Sequence, residues 1–272
     1  MPPSPIGPYD FVDKSLVSQQ LAASGVAVDV IGEILAALPD RAVGIVLYGS
    51  VARGDSSPTS DIDLLVISDD HETTRAVGRV NVTTYDDDQF RSADGTIFGM
   101  HVARDGVILH DANNVRNAIA EFGEVDTARV RRRLADLAAL LDLPEAERRQ
   151  HLPGFIRHAR YVLRTATYLA ALETGDPCFS VKELAERAGD PMLLALLSSH
   201  PAVQGEPTWE VLEELRRRVR IAATPSLKLD FENLHDAIVS LGASNPDVAD
   251  AALMILNRRP SDPYAVIPRV IL

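Results

Sequence analysis

Leu47-Tyr48-Gly49-Ser50, then ten spacer residues, then Asp61-Ile62-Asp63-Leu64-Leu65-Val66 is the stretch on which the reading of this chain turns. A Gly-Ser turn closes one apolar strand, and the next strand opens on two carboxylates spaced i, i+2. On a strand that spacing puts Asp61 and Asp63 on one face and Ile62 and Leu64 on the other. Two carboxylates side by side with no basic neighbour are costly unless a cation sits between them. Hard oxygen ligands suit Mg²⁺, which keeps waters and substrate phosphates in its shell. Gly49 lets backbone approach a phosphate closely, and Ser50 with the following N–H groups makes an anion cradle at a helix start. The constellation points to metal-assisted phosphoryl transfer. The bland alternative is an acidic surface turn after a buried strand.

Gly49-Ser50-Val51-Ala52-Arg53-Gly54-Asp55 through Ser60-Asp61-Ile62-Asp63-Leu64 resembles the signature of the DNA polymerase β nucleotidyltransferase superfamily, in particular its minimal and antibiotic-modifying branches. The resemblance implies ATP or another nucleoside triphosphate as donor. It also implies Mg²⁺ on Asp61 and Asp63 as catalytic ligands, with Gly49 and Ser50 at the triphosphate; Arg53 either adds charge there or is a solvated residue on a short helix. The family pattern expects a third carboxylate on the following strand, and the matching position here is Asn81. An amide oxygen can coordinate a metal but cannot act as a base. This departure implies one firmly held metal, a base from another segment, or weakened catalysis. Asp87 shares the parity of Asn81 but lies roughly 20 Å further along an extended strand. Asp86-Asp87-Asp88 therefore reads as a solvated turn.

A weaker resemblance covers His158-Ala159-Arg160, Ala170–Gly175 and Ser180-Val181-Lys182-Glu183-Leu184-Ala185. It is to the C-terminal domain of aminoglycoside (streptomycin/spectinomycin) adenylyltransferases. It implies that Lys182 lies near the nucleotide phosphates; a surface lysine beside a capping box is the equal alternative.

With 272 residues, 46% apolar and 24% charged, the chain has the size and composition of a globular protein of one large domain or two. No apolar run reaches membrane-spanning length and no signal peptide opens the chain. Met1–Pro8 is instead a proline-rich arm, expected to be disordered. Cys178 is the single cysteine and reads as a small apolar loop residue. These features together predict a cytoplasmic protein. Net charge is −12, concentrated in residues 1–115, where 17 Asp and Glu face 7 Lys and Arg. An acidic field favours a cationic partner over a polyanion such as RNA.

The fold class expected is α+β, a small mixed-sheet nucleotidyltransferase domain at 1–115 followed by an all-helical bundle at 116–272. One helix is expected within 13–38, stopped by Pro39. Strands are expected at 42–47, 61–68, 79–85 and, through an Asp105-Gly106 turn, 107–110. Helices follow at 126–141, 153–174, 209–223, 231–241 and 246–258. A short helix opens at the Ser180–Glu183 capping box and is closed by Gly189 and Pro191. Arg131–Arg133 and Arg216–Arg218 point round helices and read as solvated. His158 reads as a partly buried structural histidine and Trp209 as bundle packing. The function expected is transfer of AMP from ATP to a hydroxyl of a small acceptor, an aminoglycoside-like cation suiting the acidic half. The alternatives are a toxin-type transferase acting on tRNA or protein, and a non-catalytic nucleotide-binding or antitoxin-like protein.

Overall fold

The computed structural model describes residues 10–56, 60–68, 75–112, 114–198, 203, 205–225 and 231–256; the proline-rich arm lies outside them. These residues fall into two compact units, one ending at Val125 and the other beginning at Asp126. The architecture is α+β. Within the described residues no helix is long and apolar enough to cross a membrane.

The first unit runs β1 (Asp10–Phe11), α1 (Lys14–Ala23), α2 (Val28–Ala37), β2 (Arg41–Ala42), β3 (Gly44–Tyr48), α3 (Gly49–Arg53), β4 (Ile62–Ile67), β5 (Arg75–Val77), β6 (Val80–Tyr85), α4 (Asp87–Arg91), α5 (Ile97–Asp105), β7 (Val107–Asp111) and α6 (Val115–Ala120). Five strands form a mixed sheet in the order β5-β6-β4-β3-β7. β4 is antiparallel to β3 and parallel to β6. Both faces are covered. Ile45, Leu47, Ile62, Leu64, Val80 and Val82 pack with Val17, Leu21, Ile31 and Ile34 of α1 and α2. Val46, Leu65, Ile67 and Tyr85 pack on the opposite face with Phe90, Val102, Val115 and Ile119 of α4 to α6. Burial on two sides is why β3 and β4 read as near-continuous apolar runs.

Three expectations change here. The single helix at 13–38 is two, because Gly25 adopts a left-handed φ of 77° between them. The acidic turn at 86–88 is the start of α4: Asp86 accepts from Gln89 N–H and Gln89 reaches back to Asp86 N–H, a reciprocal capping box. Asp105-Gly106 is the end of α5, so β7 is entered from a helix.

The second unit is helical: α7 (Thr127–Ala139) with a 3₁₀ turn (Leu140–Asp142), α8 (Glu145–Gln150), α9 (Leu152–Glu173), α10 (Val181–Arg187), α11 (Pro191–Leu197), α12 (Trp209–Ala222), α13 (Leu234–Leu241) and α14 (Pro246–Leu256). α9 packs against α7, α11, α12 and α14. Pro191 opens α11 rather than closing α10; a proline suits a first turn, where its missing N–H is not needed.

Buried cations cap helix ends in this unit. Arg148 donates to Leu143 O, Arg160 to Leu196 O and Arg216 to Leu141 O, each at 2.8 Å. These carbonyls lie at helix ends, where no intrahelical donor reaches them. Arg216 is thus buried and paired with Glu213 and Asp142, not solvated. Arg131 pairs with Glu173 and Arg133 with Asp247. His158 donates its Nε2–H to Leu137 O at 2.9 Å, and burial holds its pKa down at about 4. Trp209 lies under the guanidinium of Arg149, 4.1 Å from ring centre to Cζ.

Candidate active site

The candidate site is built where β3 ends. Tyr48 is the last strand residue, and Gly49 turns the chain with a φ of +78°. L side chains rarely adopt that conformation. Space imposes the same choice, since a Cβ at Gly49 would stand 2.7 Å from Asp63 Oδ2. The five-residue α3 follows and stops at Gly54, again left-handed at +76°.

Register aligns the other partners. Tyr48 lies opposite Asp63 on β4, and Asp63 lies opposite Asn81 on β6. The three form one cross-strand row on the face lined by Leu65 and Ile67. Asn81 Nδ2 donates to Asp63 Oδ1 at 3.2 Å. One carboxylate oxygen is therefore held by an amide while the other fills the space that a Cβ at Gly49 would take. Asp61 sits one residue before the strand and is half-buried, like Asp63 and Asn81.

Arg53 is not a solvated side chain. Its guanidinium donates to His101 Nε2 at 3.0 Å, contacts Asp55 at 3.3 Å and faces Asp105 Oδ2 at 3.6 Å. His101 and Asp105 belong to α5, a helix that the hydrophobic pattern of the sequence does not announce. The Asp86/Gln89 pair and Thr96 with its bond to Gly99 N–H are capping signals that mark α4 and α5. The Arg53 cluster itself carries no local signal, because its members are 48 and 52 residues apart. Lys182 is an exposed first-turn residue of α10 in the second unit. Asp87 pairs with Arg91 on α4, so it is tied to that helix.

No three or more His, Cys, Asp or Glu side chains gather into a metal site among the described residues. A cation here would rely on Asp61 and Asp63, completed by neutral donors, water or substrate. That donor set is of the right hardness for Mg²⁺, which seldom takes an all-protein cage.

No curated protein matches the chain. Residues 30–104, from α2 to α5, match the family model of the nucleotidyltransferase domain, and both Gly49-Ser50 and Asp61–Asp63 fall inside the match. The match supports nucleotidyl transfer as the class of reaction. It ends before the helical unit, so it does not extend to the likeness with aminoglycoside adenylyltransferases.

Proposed function

We propose that this chain transfers a nucleoside monophosphate, AMP from ATP, to a hydroxyl of a small acceptor, the hydroxyl oxygen bonding the α-phosphorus as pyrophosphate leaves and the proton passes to solvent, with Mg²⁺ held by Asp61 and Asp63. The observation that carries the reading is the Asp63 carboxylate. It is seated against a left-handed glycine turn and fixed from the other side by Asn81. A carboxylate so confined between two backbone strands is pre-positioned, and phosphoryl transfer depends on positioning and charge stabilisation above all. The bound cation supplies charge neutralisation at the triphosphate. Gly49 lets the triphosphate approach the backbone, and Ser50 offers a hydroxyl and N–H beside it. Asn81 orients Asp63 through its amide nitrogen, so its role toward the metal is to position a ligand. Arg53 braces α3. Lys182 is assigned to the nucleotide by resemblance alone.

The acceptor hydroxyl is assigned to a small cation because the first unit is strongly acidic, which also argues against tRNA. A second reading, nucleotide binding without transfer, is favoured by Asn81 standing where a third carboxylate would serve as base.

The test incubates the protein with each labelled triphosphate and Mg²⁺, adding in turn an aminoglycoside panel, bulk tRNA or no acceptor. Label on a small acceptor is the expected result. Label on tRNA or on the protein replaces the acceptor class. Binding of triphosphate without any label moving supports the second reading. Asp61→Asn and Asp63→Asn should each abolish transfer while the far-ultraviolet circular dichroism stays unchanged; full activity in both would reject the metal assignment.

A further inference from the structure

The Arg53 cluster is largely buried, adjoins the carboxylate row only through Tyr48 and has no part in the chemistry above. It joins three elements. Arg53 ends α3, His101 and Asp105 lie one turn apart on α5, and Tyr48 ends β3. The Tyr48 ring stands edge-on to His101 at 5.8 Å and to Phe98 at 5.5 Å. The His101 and Asp105 side chains are only 16% and 6% exposed.

The chemistry of the contact fixes the imidazole. A guanidinium has donors only, so the 3.0 Å approach of Arg53 Nη1 requires an unshared pair on His101 Nε2. His101 is therefore neutral, with its proton on Nδ1. Burial, with Arg53 and Arg104 close by, holds its pKa down at about 3, so the acceptor persists through the physiological range. Asp105 Oδ2 is buried without a hydrogen-bond partner, and it balances Arg53 across 3.6 Å as a charge rather than as an acceptor. Arg104 faces the other oxygen at 3.3 Å. Two α5 groups thus grip one guanidinium, one by accepting and one by charge.

We propose that His101 and Asp105 are positioning residues that act through Arg53 to latch α3 onto α5 and hold the Gly49-Ser50 turn against Asp63. α3 is only five residues long, too short to be stable by itself. Gly49 at one end and Gly54 at the other are both left-handed, so the helix is bounded by the residue type with the fewest backbone restraints. A short helix between two such glycines needs an external anchor if its first turn is to meet a triphosphate in one geometry. The guanidinium on its last residue is that anchor. Only the kinetic readout rests on the proposed transfer reaction; the latch has readouts of its own.

The test compares wild type with His101→Phe, which deletes the acceptor, and His101→Gln, whose amide oxygen can replace Nε2. In the ¹⁵N-labelled wild-type protein, His101 is expected as the Nδ1–H tautomer, unchanged from pH 8 to 5. His101→Phe is expected to shift the Gly49 and Ser50 amide resonances. It should also raise the KM for Mg²⁺·ATP roughly tenfold, the worth of one hydrogen bond to a charged group. His101→Gln is expected to restore both. An Nε2–H tautomer overturns the proposal, and this reading survives a His101→Phe protein that fails to fold. Unmoved Gly49 and Ser50 resonances in a folded His101→Phe protein also overturn it, as does His101→Gln behaving like the phenylalanine variant. If wild type transfers nothing to any acceptor, the function proposed above fails while tautomer and amide shifts still judge the latch.

Discussion

Replacing Gly49 by alanine separates two reasons for a glycine, because Gly54 shares one of them and lacks the other. The two φ angles are nearly equal, +78° and +76°, so alanine at either position carries the same left-handed strain of about 1–2 kcal/mol. Around Gly54 an added Cβ meets nothing within 4 Å. At Gly49 it meets Asp63 Oδ2 at 2.7 Å, and ordinary contact begins at 3.4 Å, so that oxygen must retreat by the difference of 0.7 Å. Retreat is hindered, because Asn81 Nδ2 holds the other oxygen at 3.2 Å. Displacing a group by about 1 Å at a reacting centre is enough for roughly a hundredfold loss of rate. Urea unfolding should therefore show Gly54→Ala destabilised by about 1–2 kcal/mol and Gly49→Ala by at least as much, since only the latter adds the clash with Asp63. Transfer measured with labelled ATP should fall about a hundredfold in Gly49→Ala and by much less in Gly54→Ala. Equal losses of transfer in the two variants would refute the claim that the Gly49–Asp63 contact, rather than the turn itself, sets the site. So would a Gly49→Ala enzyme within about threefold of wild type.

Asn81→Asp tests how Asp63 is held. The change removes a donor and puts a second carboxylate opposite the first, which should lower stability by about 1–3 kcal/mol in a chelator and give a larger Mg²⁺-induced rise in Tm than wild type. Identical Mg²⁺ responses would show that no cation reaches this pair. Acid stability tests the two buried histidines. His101 and His158 have folded pKa values of about 3 and about 4, below the unfolded value near 6.5, so the unfolded chain binds more protons between those limits. Stability should then be complete above pH ~6.5 and fall as pH drops toward 3, and His158→Gln should flatten part of that slope in urea titrations. A slope unchanged by the substitution would mean that His158 titrates normally.

The parts of this chain that were legible in its sequence are those whose physics is local. Leu64 to Ile67 and Gly44 to Leu47 announce two-sided burial by being apolar without alternation, and Gly49-Ser50 with Asp61 and Asp63 announces by residue type and spacing the nucleotidyltransferase domain whose family model matches residues 30–104. The Asp63–Asn81 alignment follows from strand parity, because a slip of one residue would turn Asp63 into the apolar core beside Leu64. What escaped was set by tertiary contact. α5 buries a face of Ile97, Gly99 and Val102, too small and broken to give a helical hydrophobic period. Gly99 is there because a Cβ would stand 2.0 Å from Ala93 O, a constraint that appears only once the chain is folded. Arg216 illustrates the same limit. In Arg216-Arg217-Arg218 three identical side chains follow one another, yet the first is buried on Leu141 O, the second pairs with Glu214 near the surface and the third bridges Glu214 and Asp190. Helical geometry rotates each by about 100° relative to the last, so one residue type meets three environments. Arg53 is the consequential case. Its sequence context suggests a phosphate contact, but the fold surrounds its guanidinium with His101, Asp55 and Asp105 before any substrate arrives. A cation already engaged by two carboxylates has little net field left to offer a third anion. In the latch proposed above, its effect on a triphosphate would be exerted through the geometry of α3, and the Gly49 turn is where that geometry meets Asp63.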